Sequence, residues 1–273
     1  MKIALQEGLL PGESLAEKLD FAESLAIEGL EVGGRSRLYD HVEEYEKALA
    51  GRSIQIASIC GQETFDWLDP DPGKRANSLA ETRRQLEACG HFQAVGQIVP
   101  PIFGGPHIPD LSPLQDAISL EKALLVELVK DLAAHAASQG TLLLLEPLNR
   151  YEQHLLRRQA DGVEIIERAG SPQGVALLSD FFHMHIEETD TPAAFRQAGK
   201  HVAHVHMADN TRLQPGTGDI DWRAGLQALK DIGFSGYLAY ECGIEGEPKD
   251  ALTKSVQFVR EIIAQLDCYS NAE

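Results

Sequence analysis

Two hydrophobic rhythms alternate along this chain. Short, nearly unbroken apolar runs lie near residues 3–7, 29–33, 53–60, 94–102, 141–148, 175–180, 202–209 and 236–242, and runs of that length read as strands buried on both faces. Between them, apolar residues return every three or four positions in SLAEKLDFAESLAIEG, VEEYEKALAG, ANSLAETRRQLEACG, SLEKALLVELVKDLAAHAASQG, ADGVEIIERAG, TPAAFRQAG, DWRAGLQALKDIG and PKDALTKSVQFVREIIAQL. That spacing predicts amphipathic helices. Gly29, Gly51, Gly90, Gly140, Gly170, Gly199 and Gly233 stand where these helices stop, which predicts left-handed caps at each.

Eight strand-to-helix alternations allow a closed barrel or an open doubly wound sheet. No GxGxxG follows the first strand, and a count of eight is that of a (β/α)8 TIM barrel, the α/β fold expected here. The chain has 273 residues, close to the roughly 250 such a barrel takes. No linker or low-complexity stretch divides it, so a single domain over 1–273 is expected, its active site at the C-terminal ends of the strands. The stretch VPPIFGGPHIPDLSP reads as a long loop after the fourth strand, on the face where barrels hold or cover a substrate.

Composition removes several function classes. A formal net charge of -18 repels phosphate backbones and argues against nucleic acid or an anionic membrane as partner. No apolar stretch approaches a membrane span, and MKIALQEG carries no signal-peptide pattern, so a cytoplasmic protein is expected. Cys60, Cys89, Cys242 and Cys268 are scattered without a CxxC pair, which suggests neither a disulfide framework nor a thiolate zinc site.

The chemistry stands at the ends of the late strands. Glu146, Asp180, His206 and Glu241 close the runs TLLLLE, VALLSD, HVAHVH and GYLAYE. Strand parity then turns Leu144, Leu178 and Ala239 into the barrel, and it turns His204 inward too, where a buried imidazole needs partners. A single carboxylate past a strand is often only a helix cap. Four ligand-type residues at four strand ends are different, because they converge on one point, and unpaired carboxylates repel there. A divalent cation resolves the conflict; an oxygen-rich set with one imidazole suits Mn2+ or Mg2+, with Co2+ or Zn2+ as substitutes.

The segments EPLNRYE, SDFFHMHIEE, HVHMADNTRLQPGTGDIDW and YLAYEC, and more loosely GESLAEKLDFAESLAIEGLEV, resemble the xylose-isomerase-like barrel superfamily, especially its ketose 3-epimerase branch typified by D-tagatose 3-epimerase. The resemblance implies a metal-dependent sugar isomerase or epimerase, on a small sugar or keto-acid substrate, that abstracts and returns a proton through a metal-bound enediolate. It implies that Glu146 and Glu241 bind the metal and exchange protons, that Asp180 and His206 complete the metal site, and that Glu152, His183 and Arg212 contact substrate. It also allows a homo-oligomer. Independently of any family, inverting a carbon beside a carbonyl calls for one carboxylate to take a proton and another to return it.

Other residues weigh less. Glu7 and Glu31 end the first two strands and are candidates for the pocket or for structural ion pairs; Cys60 and Trp67 read as packing before pocket lining, and His107 as a pocket candidate. Asp221 is expected to cap DWRAG, and PGTGD to lend flexibility beside the metal strand. Three rival functions remain. A hydroxypyruvate isomerase or inosose dehydratase would begin with the same proton removal. An endonuclease IV-like nuclease would use an Asp-x-His ligand pair that the loop after His206 lacks. A silent sugar-binding protein would have no use for both Glu146 and Glu241.

Overall fold

Eight parallel strands close into a barrel in chain order in the computed structural model, which describes residues 1–270. They are β1 (Lys2–Gln6), β2 (Gly29–Gly33), β3 (Gln55–Cys60), β4 (Gly96–Val99), β5 (Leu142–Leu145), β6 (Val175–Asp180), β7 (Val202–Met207) and β8 (Tyr237–Tyr240). Strand β1 pairs with β8 as well as with β2, so no edge is left. Each expected run overlaps one strand.

Parity does the sorting. Ile98, Leu144, Ala176 and Leu178 pack inside the barrel with Leu142 and Cys60, and Ala4, Ala57, Tyr237 and Ala239 form a second interior group. Their neighbours, such as Leu143, Leu145, Leu177, Val205 and Leu238, join the larger core between sheet and helices. A register shift between Leu177 and Leu178 sets Asp180 directly opposite His206.

The helices are α1 (Leu15–Ser24), α2 (Val42–Leu49), α3 (Pro72–His91), α4 (Ala117–Ser138), α5 (Gln159–Arg168), α6 (Phe181–Glu187), α7 (Thr191–Ala198), α8 (Trp222–Asp231) and α9 (Pro248–Ser270). Side-chain caps start several of them: Ser14 forms a capping box with Glu17, and Asp221 accepts from Ala224 N at 2.9 Å, as expected of it. Among the described residues, no helix is long and apolar enough to cross a membrane.

Two glycine expectations fail. Gly51, Gly140, Gly170, Gly199 and Gly233 do have positive φ, but after α1 and α3 the left-handed residues are Ala26 (φ 51) and Gln93 (φ 55). Gly29 begins β2 and lies against Tyr237 and Ala4, while Gly90 sits inside α3, where a Cβ would come within 2.5 Å of Gln139 O. Both glycines answer a close approach and not a turn. Helix α6 was also unexpected; it begins directly after β6, with Asp180 as its cap.

Candidate active site

The four strand-end residues meet. Glu146, Asp180, His206 and Glu241 each present a ligand atom within 4.8 Å of the others. Strand register achieves this: Asp180 ends β6, His206 is the penultimate residue of β7, and Glu146 and Glu241 stand one residue beyond β5 and β8. The ladder continues through both of the latter, since Glu146 N donates to Val99 O and Glu241 N to Met207 O, each at 3.3 Å. Asp180 has two duties at once. Its Oδ1 caps α6 by accepting from Phe182 N at 2.7 Å, while Oδ2 faces the centre, 3.5 Å from His183 Nε2.

His206 connects the centre to a buried support. Its Nε2 lies 2.9 Å from Glu31 Oε1, and its Nδ1 lies 3.0 Å from Glu241 Oε2 and 3.6 Å from Glu146 Oε1. A carboxylate on Nε2 holds a proton there, so Nδ1, the nitrogen facing two acids, is the one that can give its lone pair to a cation. That Nδ1 is buried and makes no hydrogen bond. An unpartnered imidazole nitrogen among three carboxylates is a donor set that fits a divalent cation. Glu31, Cys60 and His206 form a second such group, but the Glu31 oxygens are already committed to Gln6 Nε2 (3.0 Å), Ser58 Oγ (2.6 Å) and His204 Nε2 (2.9 Å).

These bonds also hold His204 through its Nε2, while its buried Nδ1 makes no hydrogen bond. It is fully buried one layer down, held by Glu31 and, at 3.2 Å, by Ser58 Oγ. Glu31 therefore turns out to support two imidazoles. Gln6 Nε2 bridges from it to Glu241 Oε1 at 3.2 Å, and the Cys60 thiol donates to the same oxygen at 3.2 Å. Cys60 thus lines the pocket as well as packing in the barrel interior, as expected of it. Burial, with Glu241 next in strength, pushes that thiol well above its ordinary range.

Electrostatics divide the two central glutamates. Burial pushes Glu146 up, more than the His206 hydrogen bond pulls it down. Burial acts on Glu241 in the same sense, but His206 and Arg212 outweigh it and hold that carboxyl well below the usual range. His206 is itself raised, because Glu31 and Glu241 together outweigh burial.

A cavity of about 550 Å³ opens over these groups. Glu152, His183 and Arg212 line it, as do Gln6, Glu7, Cys60, Phe65 and Phe103. Arg212 lines it while turning its guanidinium inward, hydrogen-bonded to both Asp180 and Glu241. At His183, Nδ1 accepts from Asn149 N at 3.2 Å and lies 2.8 Å from Asn149 Nδ2, which also reaches Glu152 Oε1 at 2.9 Å. That arrangement puts the His183 proton on Nε2, the nitrogen beside Asp180.

The minor expectations divide, those for Trp67 and Glu7 being met and those for His107 and the PGTGD turn not. His107 is exposed and absent from the cavity lining. Trp67 is fully buried, with Nε1 donating to Thr82 Oγ1 at 3.2 Å, so it packs. Glu7 lines the cavity and also pairs with Lys18 at 2.9 Å. The PGTGD turn is held in place by Asp209, whose carboxylate accepts from Gly216 N (2.9 Å), Ile220 N (3.2 Å) and Trp222 Nε1 (3.1 Å). Sequence reasoning missed Gln6, Ser58 and Asn149. A usable signal existed for Gln6, which shares the inward parity of Ala4, but not for Ser58, which turns inward beside the interior Ala57 only because the β2–β3 register shifts there.

A model of the family described as xylose isomerase-like TIM barrel matches residues 19–262. The chain belongs to that family. Its relatives include the 3-dehydro-D-guloside 4-epimerase of Escherichia coli (strain K12), 31% identical over 265 residues, covering 95% of this chain and 99% of the relative. A D-psicose 3-epimerase of Enterocloster bolteae is 35% identical over 121 residues, 44% of this chain and 40% of its own length. Among solved structures, a 3-keto-D-glucoside 4-epimerase from E. coli superposes with a TM-score of 0.86 at 29% identity, covering 96% of this chain and 99% of that one. These relatives are epimerases, and the chain is of the same isomerase class.

Proposed function

We propose that this protein is a divalent-metal-dependent epimerase that inverts a carbon next to the carbonyl of a keto sugar. Supporting this above all is the convergence of Glu146, Asp180, His206 and Glu241 within 4.8 Å beneath an open cavity. Those four residues would hold the cation, with Mn2+ first choice for so many oxygens. A bound divalent cation supplies Lewis acidity to the oxygens of the substrate's carbonyl and neighbouring hydroxyl.

The proton work belongs to the chain. Glu241, held ionised by His206 and Arg212, is suited to take the proton from the carbon beside the carbonyl, whose bonding electrons move toward the carbonyl oxygen to give an enediolate. Glu146, the second carboxylate of the centre, is suited to return a proton to that carbon from the other side. The reverse reaction exchanges these duties. Arg212 and the Nε2–H of His183 provide positive and hydrogen-bonding character beside the reacting oxygens, and Glu152 orients Asn149 or a substrate hydroxyl.

End-to-end similarity to a 3-dehydro-D-guloside 4-epimerase favours a keto sugar in glycosidic form. A free ketose inverted at its third carbon is the second reading, favoured by the 35% identity shared over 121 residues with a D-psicose 3-epimerase. Incubation with Mn2+ in deuterium oxide, using a 3-keto-glucoside, D-psicose and D-tagatose, separates the two by the carbon that gains deuterium. Glu146→Gln and Glu241→Gln should each lower turnover by about 10²–10⁴-fold with the fold retained on circular dichroism. Undiminished exchange in either variant removes that residue from the proton transfer, and loss of water from the product would turn the reading into a dehydratase.

A further inference from the structure

A second buried acid lies outside the reacting centre. Glu121 of α4 is fully buried, an unusual place for a carboxylate in a helix that reads as amphipathic. Its Oε1 accepts from the backbone N–H groups of His107 (2.6 Å) and Ile108 (3.2 Å), both in the long loop between β4 and α4. Its Oε2 lies 2.6 Å from His154 Nε2, and His154 Nδ1 lies 2.8 Å from Gly104 O. Each ring nitrogen thus reaches an oxygen, one on α4 and one on the loop, so that the ring ties the two together.

The pair joins two loops that each wall the cavity. Gly104 N donates to Glu152 O at 2.7 Å, and Gly104 bridges to Gln153 in the manner of a parallel strand. Gln153 Nε2 continues inward to Glu146 O at 3.2 Å. Phe103 precedes Gly104 and meets Phe65 edge to face, with centroids 5.0 Å apart. Phe65, Phe103 and Glu152 all line the cavity.

We infer that Glu121 and His154 form a clamp that fixes the Phe103 and Glu152 walls of the cavity relative to each other, and so positions the part of the sugar remote from the reacting carbon. Neither residue touches the reacting groups; both are positioning residues. The inference rests on the keto-sugar reading for its effect on substrate, but the clamp itself is observable without any substrate.

The test uses full-length His154→Leu and Glu121→Gln. His154→Leu removes both ring bonds. Glu121→Gln preserves the count, because the new amide donates to Nε2 of a neutral imidazole whose Nδ1–H still reaches Gly104 O. In His154→Leu, hydrogen exchange at the amides of Gly104, His107 and Ile108 should accelerate at least about tenfold. KM for the sugar that the wild-type enzyme turns over should rise about tenfold with kcat within about twofold, while Glu121→Gln stays near wild type on both measures. Unchanged exchange in His154→Leu overturns the clamp. Faster exchange with unchanged KM overturns its positioning role and leaves a purely structural tie. If the wild-type enzyme turns over no keto sugar, the functional reading falls instead, and amide exchange alone decides the clamp.

Discussion

The two halves of the barrel mouth are built from different materials. Strands β5 to β8 deliver the converging acids and one imidazole, Glu146, Asp180, His206 and Glu241. Strands β1 to β3 answer with Gln6, Glu31, Ser58 and Cys60, which point at the late-strand groups and hold them. On the proposed function the late half carries the reacting chemistry, and the early half fixes its orientation. Glu31 is the link: burial acts to raise it, but His206 first and His204 with it outweigh that and hold its carboxyl well below the usual range, so it remains a charged acceptor.

This division can be broken from either side. The largest effect is expected from the late half, where His206→Ala and Asp180→Asn should each weaken Mn2+ binding by more than about 100-fold in calorimetric titration, beyond what a supporting residue costs. A smaller loss should follow from the early half. Glu31→Gln keeps the shape but withdraws the charge facing His206 Nε2, and Mn2+ affinity should fall about 10–100-fold with little change in melting temperature. Equal losses from the two sides would erase the distinction between binding and holding. The smallest effect is expected from Ser58→Ala, which strips one bond each from Glu31 and His204 and should cost about 1–2 kcal/mol in urea unfolding. An unchanged unfolding midpoint would mean that Glu31 holds the imidazoles without the hydroxyl's help.

The same contrast explains what the sequence makes legible. A charged residue closing an apolar run interrupts the pattern, so Glu146, Asp180, His206 and Glu241 stand out. Gln6 and Ser58 sit within strands whose other inward positions are small or apolar, and a neutral polar residue there gives no sign of its partner across the barrel. Glu121 is hidden for a related reason: an acid in a charged helix reads as solvent-facing, and only the loop folded over α4 makes it a buried acceptor. The eight strands were readable because each is buried on both faces between well-formed helices. Helix α6 was not, since it follows β6 with no turn residue between them. Gly29 and Gly90 were misjudged because a glycine that makes room for a neighbour looks, in sequence, like one that reverses the chain.

Asp180 and His206 are partners on a single rung of the β6–β7 ladder, and the backbone of Glu146 and Glu241 is tied to β4 and β7. The spacing of the four side chains is thereby set first by the sheet, and the loop residues Arg212 and Gln153 add their bonds to positions already fixed. A change in a loop that makes no bond to these four would therefore reshape the cavity mouth while leaving their spacing to the barrel.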